Sequence, residues 1–224
     1  IKCFEQHKVY GFGVCTAVTV QTDNVFISCQ WLDSAQIIAQ IAPLMERFSI
    51  KACKIGLVKN SDTLLEIVTF IRSIDQGIII VLDPVLNSSS GFFFHKWNMS
   101  ELMPVLEEIS LITPNYPEMQ VMCEDMKTET AALVWSQYCP VLLKGGHNAQ
   151  YPGVDFLYIK GVCTPIERKA SSISPKHGSG CVLSSAITAN LVLGLSLEQA
   201  CKKAKTYIEG FLNSNKSLLG YNLI

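Results

Sequence analysis

Three signatures are missing from this chain, and each absence excludes a class of chemistry. No CxxC pair occurs: the nine cysteines (Cys3, Cys15, Cys29, Cys53, Cys123, Cys139, Cys163, Cys181 and Cys201) are scattered singly and their number is odd. That argues against a zinc site or a disulfide framework and for reduced thiols in a cytoplasmic protein. No GxxxxGK[ST] and no GxGxxG appears, which removes the P-loop and the dinucleotide fingerprint. Charge of one sign is missing too, since the formal net charge is -1 and only 17% of residues are charged. The densest basic run, Lys202-Lys203-Ala204-Lys205, lies in a helical pattern and reads as a solvated face, so no nucleic-acid partner is expected. No secretory signal is visible, although the chain opens on Ile1 rather than Met, which leaves room for a segment upstream. The uncharged run Gly178–Leu197 is long enough to raise the question of a membrane span. Its four serines, Thr188, Asn190 and three glycines fit a helix in a buried core better.

What is present is a globular α/β pattern. Half of the chain is apolar (49%), enough for a sizeable core over one domain, 1–224, with no repeats or linkers. Val14–Gln21 is β-branched and reads as a strand, followed by a helix over Ser34–Phe48 with apolar residues at helical spacing. Ala52–Leu57 reads as the second strand and Ser61 as the cap of a helix running to Ile74. Gly77–Leu82 (GIIIVL) is a continuous apolar run, the mark of a strand covered on both faces. A helix after Asn98, a short strand at Leu111–Thr113, a helix at Thr128–Gln137 and a strand at Pro140–Lys144 come next. Two antiparallel strands (Asp155–Lys160 and Thr164–Arg168) and two helices close the chain, the last opened by the capping box Ser196-x-x-Gln199. This order predicts a mostly parallel central sheet with helices on both faces.

In such sheets ligands bind at the C-terminal ends of the strands. Polar residues collect there: Gln21 ends the first strand, Lys54 and Gly56 lie at the second, Asp83-Pro84 ends the third, Asn115-x-x-Glu118 follows the next, and Lys144-Gly145-Gly146 the one after. Taken singly, Asp83 reads equally as a turn residue, Glu118 as a first-turn carboxylate and Lys144 as a surface lysine. Taken together they predict a nucleotide-phosphate site, with hard oxygen ligands for magnesium and a lysine over phosphate. Gly178-Ser179-Gly180 opens a helix and can offer unpaired N–H groups to an anion. Cys181 in the first turn is a candidate proton acceptor, its thiol expected to be acidified by the helix N-terminus, or else a small apolar residue starting a buried helix. His147 and His177 are weaker proton carriers, with hydrogen-bonded structural roles as the alternative.

The series CTAVTVQT, KIGLV, VLDPVLNSSSG, LITPNYPEM, VLLKGGH and KHGSGCVLSSAITANLVLGLSLEQACKKAK resembles, in order and over nearly the whole chain, the hydroxymethylpyrimidine/phosphomethylpyrimidine kinases of thiamine biosynthesis, which have the ribokinase-like fold. The resemblance implies ATP and Mg2+ as cofactors, a small-molecule substrate and a homodimer. It implies Cys181 as catalytic base, in a position where most ribokinase-like sugar kinases carry aspartate. Gly178, Ser179 and Gly180 become the anion hole, Lys144 the contact to ATP phosphates, and Asp83, Asn115 and Glu118 the organisers of magnesium. Gln21, Leu57 and Val85 become substrate-binding residues. Leu57 stands where the family usually has methionine, and Ser179 replaces threonine while keeping the hydroxyl. The family opens with a strand and a GSDxSGGAG turn, and IKCFEQHKVYGFGV resembles only the family's residues beyond that turn. The connections Gln21–Ser34 and Met122–Thr128 are short for the family, so segments absent from the sequence are an expectation. Pyridoxal kinases share the fold and the cysteine and remain open, as does a non-catalytic vitamin-sensing module.

Overall fold

The computed structural model describes residues 1–88, 91–123, 126–148 and 150–222, apart from the side chain of His147, which lies outside that description. The main sheet has six strands: β3 (Ala52–Ile55), β4 (Ile79–Leu82), β5 (Leu111–Ile112), β6 (Val141–Leu143), β7 (Asp155–Ile159) and β8 (Val162–Ile166). They lie side by side in chain order, with β3 to β6 parallel and β7 and β8 antiparallel, as the sequence predicts.

The two-residue alternation of a strand explains the two cores. Ile80 and Leu82 of β4, Ile112 of β5, and Val141 and Leu143 of β6 point to one face. There they meet α2 (Ser34–Arg47), α3 (Ser61–Ile74), α4 (Met99–Leu106), α5 (Tyr116–Met122) and α6 (Thr128–Trp135). The intervening Val81, Leu111 and Leu142 point to the other face, toward α1 (Lys2–Gln6), α7 (Ser179–Val192) and α8 (Leu197–Leu212). Burial on both sides is why GIIIVL carries no polar alternation. Among the described residues no helix is long and apolar enough to cross a membrane, and α7 packs most extensively on α8.

Several boundaries differ from expectation for local reasons. Asn60, not Ser61, caps α3, its side chain accepting from Thr63 N at 3.0 Å. The capping box at Ser196 and Gln199 forms as predicted. The larger correction concerns the first strand. β1 (Ala17–Gln21) does not enter the main sheet but pairs antiparallel with β2 (Phe26–Trp31) in a sheet of its own. Thr22 N donates to Val25 O at 2.8 Å, closing a turn too tight for anything but an antiparallel neighbour. The Gln21–Ser34 connection therefore contains a strand that its mixed FISCQW pattern hides. Residues 124 and 125 of the other connection that is short for the family lie outside the described residues.

Candidate active site

Three polar residues stand one position beyond three adjacent parallel strands: Asp83 after β4, Thr113 after β5 and Lys144 after β6. The backbone carries the sheet alignment past the strand ends, since Asp83 N donates to Ile55 O, Thr113 N to Leu82 O and Lys144 N to Pro114 O, at 2.8–2.9 Å. This alignment places the side chains together. Lys144 Nζ lies 2.7 Å from Asp83 Oδ1 and 3.6 Å from Glu118 Oε2, and Lys54 Nζ lies 3.6 Å from Asp83 Oδ2. Thr113 Oγ1 donates to Asp83 Oδ1 at 3.2 Å, and Ser184 Oγ of α7 donates to Asp83 Oδ2 at 3.1 Å. Asp83 is only 1% exposed, so its carboxylate is a buried charge satisfied from four sides.

Glu118 sits in the first turn of α5 through a capping box. Its carboxylate accepts from Asn115 N at 2.7 Å, and its own N–H donates to Asn115 Oδ1 at 2.8 Å. Asn115 thus acts on the site by aiming Glu118, and its side-chain oxygen is already engaged as an acceptor. Helix α7 arrives from the opposite layer with Gly178 as its N-cap at φ 74°, a left-handed conformation that favours glycine, and no side chain caps it. Its first turn lies against the charges: a Cβ on Gly180 would stand 3.3 Å from Lys144 Nζ and 4.0 Å from Asp83 Oδ2. The open N–H groups of a 14-residue helix therefore face a cluster with two lysines, an arrangement suited to phosphate.

Opposing influences set the protonation of the cluster. Burial pushes the Asp83 carboxyl up, but Lys144 and Lys54 more than reverse it and hold it at about 2. Burial pushes Glu118 up as well; Lys144 pulls it back, Asp83 repels its charge, and the outcome is raised. Burial works against the Lys144 ammonium, yet Asp83 and Glu118 together hold it firmly protonated. Cys181, in the first turn of α7, is solvent-exposed, though protein atoms crowd around it. That crowding pushes its thiol above the ordinary value, Lys54 and Lys144 pull it down, and Asp83 pushes it up again. The acidified thiol expected from the helix N-terminus is thus not what the structure shows: burial among protein atoms raises it first, and the Asp83 carboxylate adds to that rise against the pull of the two lysines.

The remaining predicted residues are placed less centrally. Val85 is half-buried two positions beyond Asp83, its N–H on Asp83 O at 2.9 Å. Leu57 is half-buried and its carbonyl accepts from Thr16 Oγ1 at 2.6 Å. Gln21 is exposed on the β1–β2 hairpin with its amide donating to Thr19 Oγ1 at 3.0 Å, and it is not at a strand end of the main sheet. Nδ1 of His177 is buried without a hydrogen-bond partner. A cavity of about 790 Å3 runs along β3 beneath the N-terminal segment and reaches the cluster only at Lys54, Gly56 and Leu57. Sequence reasoning placed Lys54 among the strand-end polar residues without a role of its own and gave Ser184 none. A signal existed for both: Gly56 leaves room for the Lys54 ammonium, which a Cβ would approach to 2.5 Å, and Ser184 is one helical turn beyond Gly180.

Comparison with known proteins gives the family and the fold. The family model described as Phosphomethylpyrimidine kinase matches residues 1–222. A hydroxymethylpyrimidine/phosphomethylpyrimidine kinase of Aquifex aeolicus is 32% identical, covering 100% of this chain and 91% of the relative. One from Rhizobium meliloti is 27% identical over 96% of this chain and 84% of its own length. Among solved structures, a phosphomethylpyrimidine kinase from Clostridium difficile superposes with a TM-score of 0.74 at 30% identity, covering 92% of this chain and 88% of the other. A Staphylococcus aureus pyridoxal kinase solved with ADP gives a TM-score of 0.81 at 20% identity over 95% and 81% of the two chains, a likeness of fold.

Proposed function

The chain belongs to the phosphomethylpyrimidine kinase family, and on that footing we propose that it transfers the γ-phosphoryl group of ATP to 4-amino-5-hydroxymethyl-2-methylpyrimidine and then to the monophosphate, in thiamine biosynthesis. The observation that carries the reading is the convergence of Asp83, Glu118 and Lys144 under the open N-terminus of α7. In the first step the hydroxymethyl oxygen bonds to the γ-phosphorus as the bond to the β–γ bridging oxygen breaks, and the hydroxyl proton passes to the Cys181 thiolate, which becomes the neutral thiol. The N–H groups at Gly178, Ser179 and Gly180 hold the transferring phosphoryl charge, and Lys144 holds the ATP phosphates. Leu57 and Val85 flank the pyrimidine, and Gln21 reaches it from the hairpin.

The donor set fits magnesium. Two carboxylates offer hard oxygens, and burial, with the Asp83 charge adding to it, raises the Glu118 carboxyl, so a cation beside it would favour its ionised form. Asp83 and Glu118, the latter aimed by Asn115, would hold magnesium and its waters, and the ion would offset phosphate charge. In this reading residues 1–224 form a single kinase domain that acts as a cytoplasmic homodimer.

ATP consumption with the hydroxymethylpyrimidine and with pyridoxal, in wild type and Cys181→Ala, tests the proposal. Turnover with the pyrimidine and a loss of about 10²-fold or more in the variant are expected. Turnover with pyridoxal alone overturns the substrate, and none with either favours a sensor.

A further inference from the structure

Helix α8 carries two buried charges, Lys205 and Glu209, at a spacing that on a solvated face would pair them with each other. They point to different partners instead. Glu209 accepts from the backbone N–H groups of Lys169 and Ala170, at 3.0 and 2.8 Å. Lys205, expected from its basic run to be solvated, turns inward, is 8% exposed and places its Nζ 2.8 Å from Asp155 Oδ2. Asp155 opens β7, is 3% exposed, and spends its other oxygen on Gly145 N at 2.7 Å.

Gly145 is the residue after Lys144, and the turn it forms is tightly determined. Its carbonyl accepts from Gly153 N at 2.9 Å and from Asn148 N at 3.1 Å. A Cβ there would collide with the Val154 carbonyl, so the backbone passes β7's approach with no room for a side chain. Only the Gly145 N–H looks toward Asp155. A buried ion pair is a poor way to gain stability, because desolvation offsets most of the attraction. It is a good way to hold one hydrogen bond in one direction, since a carboxylate fixed by an ammonium has one oxygen left to aim.

We propose that Lys205 and Asp155 are positioning residues for the kinase reaction: the α8 ammonium fixes the Asp155 carboxylate, which holds the Gly145 N–H and so sets where Lys144 presents its own ammonium to ATP phosphate. This rests on the reading of Lys144 as the phosphate contact. The pair touches neither substrate nor nucleotide and acts through the turn alone.

The test separates the hydrogen bond from the charge. Asp155→Asn with Lys205→Met removes both charges but keeps an oxygen to accept from Gly145 N–H. Asp155→Ala with Lys205→Met removes both charges and the acceptor. Steady-state kinetics are measured on the folded fraction of each, beside Lys144→Met and beside Ile208→Val, which thins the core contact of the same helix. The first double variant, which keeps the acceptor but loses the ammonium that aims it, is expected to raise the ATP KM about threefold. The second raises it about tenfold while the pyrimidine KM stays within about twofold. Ile208→Val lowers stability and leaves the ATP KM unchanged. Equal ATP KM values in the two double variants overturn the proposal while Lys144→Met still raises that KM. An ATP KM unmoved by Lys144→Met overturns the reading of Lys144 instead.

Discussion

The strand-end cluster and the β1–β2 hairpin use opposite means to hold their side chains. In the cluster Asp83, Lys144 and Glu118 are buried and fixed by directed partners: Lys54 and Ser184 on Asp83, Asp83 on Lys144, and the cap of its own helix, Asn115, on Glu118. The hairpin has two strands and exposed Val18, Val20 and Ile27, and it is attached through rings. Phe26 stacks on Phe92 with centroids 4.4 Å apart and meets Phe94 edge-on at 5.1 Å, and Trp31 lies 6.0 Å from Phe94. A two-stranded sheet is marginal without such packing. One region is organised to keep charges still against desolvation. The other is held by non-directional contacts and can yield without unfolding the sheet.

Breaking the cluster has the larger expected effect. Asp83→Ala leaves the Lys144 ammonium buried with only the more distant Glu118, and is expected to cost about 3 kcal/mol in denaturant unfolding of the whole chain. A loss under about 1 kcal/mol would mean that the buried network holds the site without supporting the fold. Breaking the hairpin has a smaller and local effect. Phe26→Ala removes aromatic contacts worth about 1 kcal/mol beyond their buried area. Amide exchange of residues 17–31 is expected to speed up while β4, β5 and β6 keep their protection. Faster exchange throughout the main sheet would erase the distinction between the two regions.

The same contrast explains what was legible in the sequence. Asp83, Asn115, Glu118 and Lys144 could be found because each comes after an apolar run, and parallel strands bring their ends to one side. GSGC could be found because glycines opening a long uncharged helix have few other uses. The mostly parallel sheet and its two antiparallel strands came from the same patterns. The placement of β1 did not, since a β-branched strand reads alike in a hairpin or a central sheet. β2 was hidden because FISCQW lacks a clean alternation. Lys205 looked solvated because its partner is 50 residues away, at the start of β7. The elevated Cys181 thiol was illegible for a related reason: it comes first from the protein atoms that the fold packs around the sulfur, and then from a carboxylate at the end of another strand.

That thiol is the centre of the account. If Cys181 is the base, its thiolate must form, and a folded-state value held above the ordinary thiol range makes the active form grow as pH rises. The decisive measurement is kcat/KM for the hydroxymethylpyrimidine against pH, in wild type and Cys181→Asp. The account predicts a wild-type rate that climbs through the alkaline range, and a variant whose carboxylate, already ionised at neutral pH, shows no such climb. A wild-type profile that stays flat there would contradict it.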